Sequence, residues 1–333
     1  MLILAVESSC DETAVSLVED GRKLICDKIL SQTDHAIYGG VVPEIASRRP
    51  IEAVGGLADL ALEGIDKSKI DAVAATYAPG LIGAVLVGLN FAKSAAYSLG
   101  VPFIPVHHMR GHIAANYLAF PELEPPFAAL VVSGGHSLIV DVRGYTDMEV
   151  IGTTRDDAAG ECFDKVARVL GLGYPGGAAL DALSKTGDDK KYPLPRAHAG
   201  DSPFDTSFSG LKTAVINLIH NSRQKGEELD EASLAASFAA AVSDALVPRA
   251  VEATKMLGYK KLAVCSGVAA NSRIRSDLTR LCDGNGIEIF APPLKLCGDN
   301  GAMIASQAYY EYMAGKRGGL DCNAYATMAI NNG

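Results

Sequence analysis

Two histidines four residues apart, His108 and His112 in HHMRGH (107–112), carry the clearest chemical signal in the chain. On a helix this spacing projects both rings from one face, where they can share a metal ion. A third ligand is then needed. Asp299, in CGDNGAMIA (297–305), is the candidate, at the start of the last expected helix. A helix N-cap is the plainer reading of an aspartate there. The H-E-x-x-H pattern of zinc peptidases fails, because Met109 stands where the water-activating glutamate belongs.

Two polar turns offer a second chemistry. ESSCDET (Glu7–Thr13) follows an apolar run, and Ser9, Cys10 and their backbone N–H groups suit an anion, with carboxylates alongside. SGGH (Ser133–His136) follows a second apolar run, and its paired glycines let backbone approach phosphate closely. Each turn alone reads equally well as an ordinary hairpin. SGVAAN (266–271), with Ser266 and Gly267, follows a third run where an adenosine loop would stand. Two phosphate-gripping hairpins and an adenosine loop together characterise the actin-like ATPase fold.

Other nucleotide signatures fail. Gly171 to Gly176 is formally G-x-G-x-x-G, but it follows a helical stretch and contains Pro175, which excludes a Rossmann turn. No P-loop, protein-kinase set or G-x-S-x-G elbow occurs.

The elements that must position these residues follow from patterning. Leu2–Val6, Ala14–Val18 and Lys23–Leu30, with Asp20-Gly21 between the last two, predict an antiparallel meander. A helical pattern begins at Ile51. Strands are expected at 71–76 and 101–106, and helices at 81–98 and 108–118. The opening pattern then returns: strands at 127–132 and 138–142 flank SGGH, and a third covers 149–152. Further strands fall at 261–266 and 287–290, a helix at 300–314, and a long loop over 185–205. The repeat, about 125 residues on, predicts an α/β chain of two duplicated subdomains, with mixed sheets flanked by helices and a central cleft. The expected division is residues 1–122, 127–299 and a C-terminal segment, 300–333, packing back on the first subdomain. PELEPP (121–126) is the linker.

With 333 residues, 48% hydrophobic and 21% charged, the chain has apolar surface for two cores and is not disordered. Seven scattered cysteines with no C-x-x-C read as reduced thiols in a reducing cytoplasm. The N-terminus lacks a basic leader pattern. The uncharged stretch 72–92 is broken by Pro79, Gly80, Gly83 and Gly88, so no membrane span is expected. A net charge of −9 argues against free-standing nucleic-acid binding.

Many segments, in order, resemble the TsaD family in its bacterial form: ESSCDET, YGGVVPEIASR (38–48), APGLIGAVLVG (78–88), HMRGH, LVVSGGHS (130–137), DDAAGECFDKVARVLGL (156–172), YPGG (174–177), FSGLKTAV (208–215), AANSRIR (269–275) and CGDNGAMIA. The resemblance implies transfer of threonylcarbamoyl from threonylcarbamoyl-AMP to N6 of the adenosine 3′ of the anticodon, in tRNAs reading codons that begin with A. It implies one divalent metal, iron or zinc, on His108, His112 and Asp299. It implies substrate contacts at Val132, Ser133, Gly134, Gly135, His136, Asp164, Gly177, Asp181 and Asn271, with threonylcarbamoyl-AMP or an ATP/AMP-type nucleotide bound. Implied partners are tRNA, a TsaB-like paralogue, a TsaE-like ATPase and an upstream enzyme that makes the adenylate.

Residue chemistry adds to this. Asp11 and Glu12 are the expected catalytic carboxylates, taking the proton of the weakly nucleophilic amine. Ser9, Cys10, Ser266 and Gly267 are expected around phosphate. Arg48, Arg49, Arg110, Arg196 and Lys212 are the expected tRNA-facing cations, with salt-sensitive binding that partners strengthen. Pro50, Arg110, Ala78 and Ala178 depart from the family pattern. An actin-fold ATPase or small-molecule kinase is the competing reading, because cradles and an adenosine loop serve it equally.

Overall fold

The computed structural model describes residues 1–32, 35–38, 40–173, 175–196 and 202–333. Gly39 and Tyr174 of the quoted segments, and part of the expected 185–205 loop, lie outside them. The rest of that loop has no helix or strand among its described residues.

In chain order the strands are β1 (Leu2–Glu7), β2 (Glu12–Glu19), β3 (Lys23–Ser31), β4 (Ile70–Ala78), β5 (Phe103–His107), β6 (Phe127–Val132), β7 (Ser137–Val142), β8 (Met148–Thr153), β9 (Lys261–Cys265) and β10 (Glu288–Phe290). The helices are α1 (His35–Tyr38), α2 (Pro43–Ala61), α3 (Ile82–Leu99), α4 (His108–Ala119), α5 (Ala159–Leu170), α6 (Gly176–Ser184), α7 (Ser209–Lys225), α8 (Glu231–Met256), α9 (Ser272–Asn285) and α10 (Gly301–Met313).

Two compact units result. The first holds Met1–Pro125, Val142–Glu149 and Pro292–Gly333; the second holds Pro126–Asp141 and Val150–Ala291. The chain re-enters the first unit at Pro292, so Asp299 belongs to that unit. The two sheets share one topology. The first runs β3-β2-β1-β4-β5 and the second β8-β7-β6-β9-β10, read in the same direction. In the first, β1 and β2 are antiparallel, and β4 and β5 are parallel to β1. In the second, β6, β9 and β10 are parallel.

The first sheet is covered on both faces, so β1 is buried almost throughout and shows no polar alternation. Its period of two survives in the packing. Leu4 and Val6 join the core under α2 and α3, whereas Ile3 and Ala5 join the core under α10. Asp20 and Gly21 both have positive φ (52° and 70°), the two-residue hairpin geometry expected of Asp-Gly.

α2 starts at Pro43, eight residues before the expected Ile51. Proline at the first position suits a helix start, and Pro50 sits inside the helix without ending it. Pro50 has no N–H for the Ala46 carbonyl, and the Gln32 side-chain amide donates to that carbonyl instead, at 3.4 Å. α3 and α8 are long and apolar enough to cross a membrane. In α8 the apolar window is 83% buried, as in the central helix of a core.

Candidate functional site

β1, β4 and β5 run parallel side by side, so their carboxyl ends gather Glu7, the turn after Ala78 and His107 at one edge of the first sheet. Loops at such an edge are where open α/β sheets place ligands. α4 begins directly from β5, and His108 and His112 lie one turn apart on it. Their rings meet edge-on with centroids 4.6 Å apart. Asp299 stands two residues before α10, which packs against α4. Its Oδ1 is 3.1 Å from His112 Nε2 and 3.5 Å from His108 Nε2. The three ligand atoms all lie within 4.8 Å of one another.

The donor set fits a metal. Ligands bound at about 2.1 Å and roughly 90–110° apart stand about 3.0–3.4 Å from each other; Asp299 is 3.1 Å from His112 and, just beyond that range, 3.5 Å from His108. Two imidazoles and one carboxylate suit iron or zinc, and three protein donors leave coordination positions open. The imidazole of His108 is already oriented. Its Nδ1–H donates to Glu7 Oε2 at 3.0 Å, with Ser9 Oγ at 3.2 Å, which turns Nε2 toward Asp299. Glu7 is fully buried and also accepts from the Thr76 hydroxyl and the Ser9 amide.

The electrostatics follow from this crowding. Burial pushes the Glu7 carboxyl up, but the charge and hydrogen bond of His108 outweigh it and hold the group below the usual carboxylate range. Burial opposes a charge on His108, yet Asp299 and Glu7 raise it to about 9. Burial lowers His112. Burial, then the charges of Asp299 and Asp11, push Glu12 up to about 9. Burial and the same neighbouring charges push the Cys10 thiol up, so it is no nucleophile at neutral pH. Ser9, Cys10 and Glu12 thus sit around the histidine–aspartate cluster. The Asp11 carbonyl accepts from the Gln32 amide at 3.0 Å.

The second unit gathers its loops in the same manner. β6 and β9 are parallel neighbours, with Val131 opposite Cys265, so SGGH and SGVAAN leave from one sheet edge. Ser133 Oγ accepts from the amides of Gly135 (3.2 Å) and His136 (3.0 Å), closing the turn. α5 abuts the turn from behind. The Gly160 amide donates to the Ser133 carbonyl at 3.2 Å, and a Cβ on Gly160 would stand only 2.4 Å from that oxygen. Open space surrounds Gly134 and Gly135, so their backbone is accessible to a ligand.

Ser266 holds φ 74° and ψ −179°, a region costly for any residue but glycine, at the start of the SGVAAN loop. Asn271 caps α9 by accepting from the Ile274 amide at 3.1 Å. Asp181 accepts from the amide and hydroxyl of Ser272, the next residue, at 2.9 and 2.8 Å. Asp164 accepts from the Gly177 amide at 3.1 Å. Asp164, Gly177, Asp181 and Asn271 therefore tie the starts of α6 and α9 to their neighbours. The G-x-G-x-x-G segment is a helix end followed by a helix start: Gly171 is the left-handed C-cap of α5 and Gly176 begins α6.

One expectation is corrected. Arg110 is not a tRNA-facing cation. Only 2% of it is exposed, because α4 turns it away from the histidines and into a pair with Glu311 of α10 at 2.9 Å. Lys212 is held by Asp157, and Arg196 by Asp244 at 2.9 Å. Arg48 and Arg49 are exposed, with Arg49 pairing to Glu52 at 2.9 Å. Sequence reasoning did not single out Glu7 or Thr76. The signal available was a glutamate closing an otherwise apolar strand.

Comparison with known proteins identifies the family and the fold. The model of the family described as "TsaD: tRNA N6-adenosine threonylcarbamoyltransferase" matches residues 23–306. A tRNA N6-adenosine threonylcarbamoyltransferase of Clostridium botulinum (strain 657 / Type Ba4) is 49% identical over 331 residues, 98% of this chain and 97% of that protein. One of Caldicellulosiruptor saccharolyticus is 48% identical over 333 residues, 99% of this chain and 98% of that protein. Among solved structures, HypF of T. kodakarensis aligns with a TM-score of 0.62 at 18% identity, over 94% of this chain and 48% of that one. That likeness concerns the fold, which is the actin-like ATPase fold.

Proposed function

This chain belongs to the TsaD family of tRNA N6-adenosine threonylcarbamoyltransferases, and we propose that its first unit carries a metal centre and its second unit carries nucleotide-binding loops. Its activity is tRNA modification by acyl transfer to N6 of adenosine. The observation that carries the finer reading is the cluster of His108, His112 and Asp299, with Glu7 fixing the first imidazole.

His108, His112 and Asp299 hold one divalent ion, iron or zinc. When bound, such an ion supplies Lewis acidity toward a carbonyl or phosphate oxygen. Threonylcarbamoyl-AMP is the donor. Its adenosine is held by Ser266, Gly267 and Asn271, with Asp164, Gly177 and Asp181 supporting the pocket. The backbone from Val132 through Ser133, Gly134, Gly135 and His136 grips phosphate. Ser9 and Cys10 line the first unit's share of the chemistry.

The reaction needs N6 to attack the carbamoyl carbon, the bond from that carbon to the phosphate oxygen to break, and AMP to leave. The proton released from N6 goes to the Asp11 carboxylate of the β1–β2 turn, because Glu12, raised to about 9, already carries a proton at neutral pH. The acceptor adenosine is the one 3′ of the anticodon. A TsaB-like paralogue and a TsaE-like ATPase assist, an upstream enzyme supplies the adenylate, and the work is done in the cytoplasm.

The test is transfer of labelled threonine into tRNA in the presence of an adenylate-forming enzyme. His108→Ala and His112→Ala are expected to lower transfer at least ~100-fold. Wild-type rates in metal-stripped protein would overturn the metal reading. Full transfer by Asp11→Ala would overturn the proton-acceptor role.

A further inference from the structure

We propose that Asp27, on the edge strand β3, is a positioning residue for the metal ligand Asp299, acting through the amino-terminal end of α10. The proposal rests on the reading of His108, His112 and Asp299 as a metal site. The Asp27 carboxylate faces the amides of Gly301 and Ala302, the first two residues of α10, and these amides favour its charge. These amides have no partner inside the helix, and a carboxylate there also meets the positive end of the helix dipole. The Ser16 hydroxyl of β2 donates to Asp27 and lies against Gly301.

Contact is close enough to fix the helix along its axis. A Cβ on Gly301 would stand 2.4 Å from Ser16 Oγ, so backbone lies flush on the sheet at this point. Asn300 then caps α10 by accepting from Met303 at 2.8 Å, and its amide donates to the Gly298 carbonyl at 2.8 Å. Asp299 therefore stands between Gly298, whose carbonyl is held, and Asn300, whose side chain is held at both ends, and one peptide from the Gly301 amide that Asp27 faces.

The histidines are fixed independently, by Glu7 and by the body of α4. Slippage of α10 on α4 is thus the motion that separates Asp299 from the two imidazoles. Distances of 3.1 and 3.5 Å leave little room for it. Asp27 lies two strands away from β1 in the sheet and touches no ligand atom. Its role is to hold the third donor in register with the other two.

The test is equilibrium binding of Co²⁺ to the full chain, by competition with a chromophoric chelator, together with the visible absorption bands of the bound ion. Asp27→Ala is expected to weaken Co²⁺ 10–100-fold, in the range for outer-shell partners, and to alter the bands. Asp27→Asn, which keeps one acceptor oxygen, is expected to fall between it and wild type. Ser306→Ala is the control for mere loosening of α10. Its hydroxyl donates to Gly21 at 2.6 Å, with the Ala114 carbonyl also within reach at 3.2 Å, both remote from the ligand end. It is expected to lower the melting temperature while keeping Co²⁺ affinity within about twofold. Unchanged affinity and bands in Asp27→Ala, or an equal loss in Ser306→Ala, would overturn the positioning role. If Asp27→Ala does not fold, Ser16→Ala takes its place, with a severalfold loss expected and no change overturning the role. A wild-type chain that binds no Co²⁺ would overturn the metal reading, and this inference with it.

Discussion

Replacing Arg110 by alanine opens a buried ion pair between α4, which carries the two histidines, and α10, which Asp299 precedes by two residues. Arg110 and Glu311 have side-chain exposures of 2% and 3% and meet at 2.9 Å. Arg110 Nε also donates to the Ile330 carbonyl at 2.9 Å. Removing one partner of a buried pair costs roughly 3–5 kcal/mol, because the other is left uncompensated in a poor solvent for charge. Here the low end applies. Glu311 keeps Lys316 at 3.0 Å and the Gln307 amide at 2.8 Å, so its charge is never fully abandoned. About 3 kcal/mol lowers the melting temperature of a unit this size by roughly 6–12 °C. Differential scanning calorimetry of the full chain measures it, with the two units resolved as separate transitions. The loss is expected in the transition of the first unit alone. The double variant Arg110→Ala/Glu311→Ala is expected to cost at least ~1.5 kcal/mol less than the sum of the single variants. Additivity within about 0.5 kcal/mol, or a shift below about 2 °C, would refute the claim that this pair joins α4 to α10.

Three further outcomes are expected. Glu7→Gln removes the charge behind the His108 imidazole and is expected to weaken metal binding about 10–100-fold in a chelator competition, and an unchanged constant would show that Glu7 does not orient the ring. Gly160→Ala drives a methyl group into the Ser133 carbonyl; calorimetric titration should show adenine-nucleotide affinity falling at least ~10-fold, whereas Gly134→Ala, facing open space, should leave the melting temperature as it was. Without metal the His108 imidazole is raised to about 9 by Asp299 and Glu7 against its burial, so it is protonated at neutral pH and must lose that proton to bind an ion. Metal affinity should therefore climb as pH rises toward about 9, with proton release at pH 7 visible in buffers of different ionisation heat, and a flat profile would contradict the assignment.

Much of this was legible in the sequence, for reasons that particular residues make plain. The β1-β2-β3 meander was readable because Asp20-Gly21 marks its hairpin and apolar runs flank it. The histidine pair was readable because spacing on a helix needs no tertiary information. α2 was read short because its apolar spacing begins only at Ile51; the fold alone brings Gln32 to the Ala46 carbonyl that Pro50 leaves free. α8 carries no amphipathic stripe because it is buried nearly all round, and periodicity has nothing to detect in such a helix. Arg110 was read as a surface cation because its partner lies 201 residues away in the chain. Glu7 and Asp27 act through neighbours brought together by sheet order, which a linear reading does not supply.

The first unit is spelled in two instalments. Its sheet, α4 and both histidines precede residue 125, and α10 with Asp299 follows residue 292. Until that second instalment arrives, the face formed by Ile3, Ala5, Ala72, Ala74, Ile104 and Val106 lacks its cover of Met303, Ile304, Ala305 and Ala308. At about 5–20 residues per second, a ribosome needs roughly 10–40 s to travel from His112 to Asp299. A nascent chain therefore exposes an uncovered apolar sheet and two unaccompanied imidazoles while the second unit is being made. The second unit, whose residues are contiguous apart from a short excursion, can finish folding first. Closure of the first core is then a late event, and the three candidate metal ligands come together only with it.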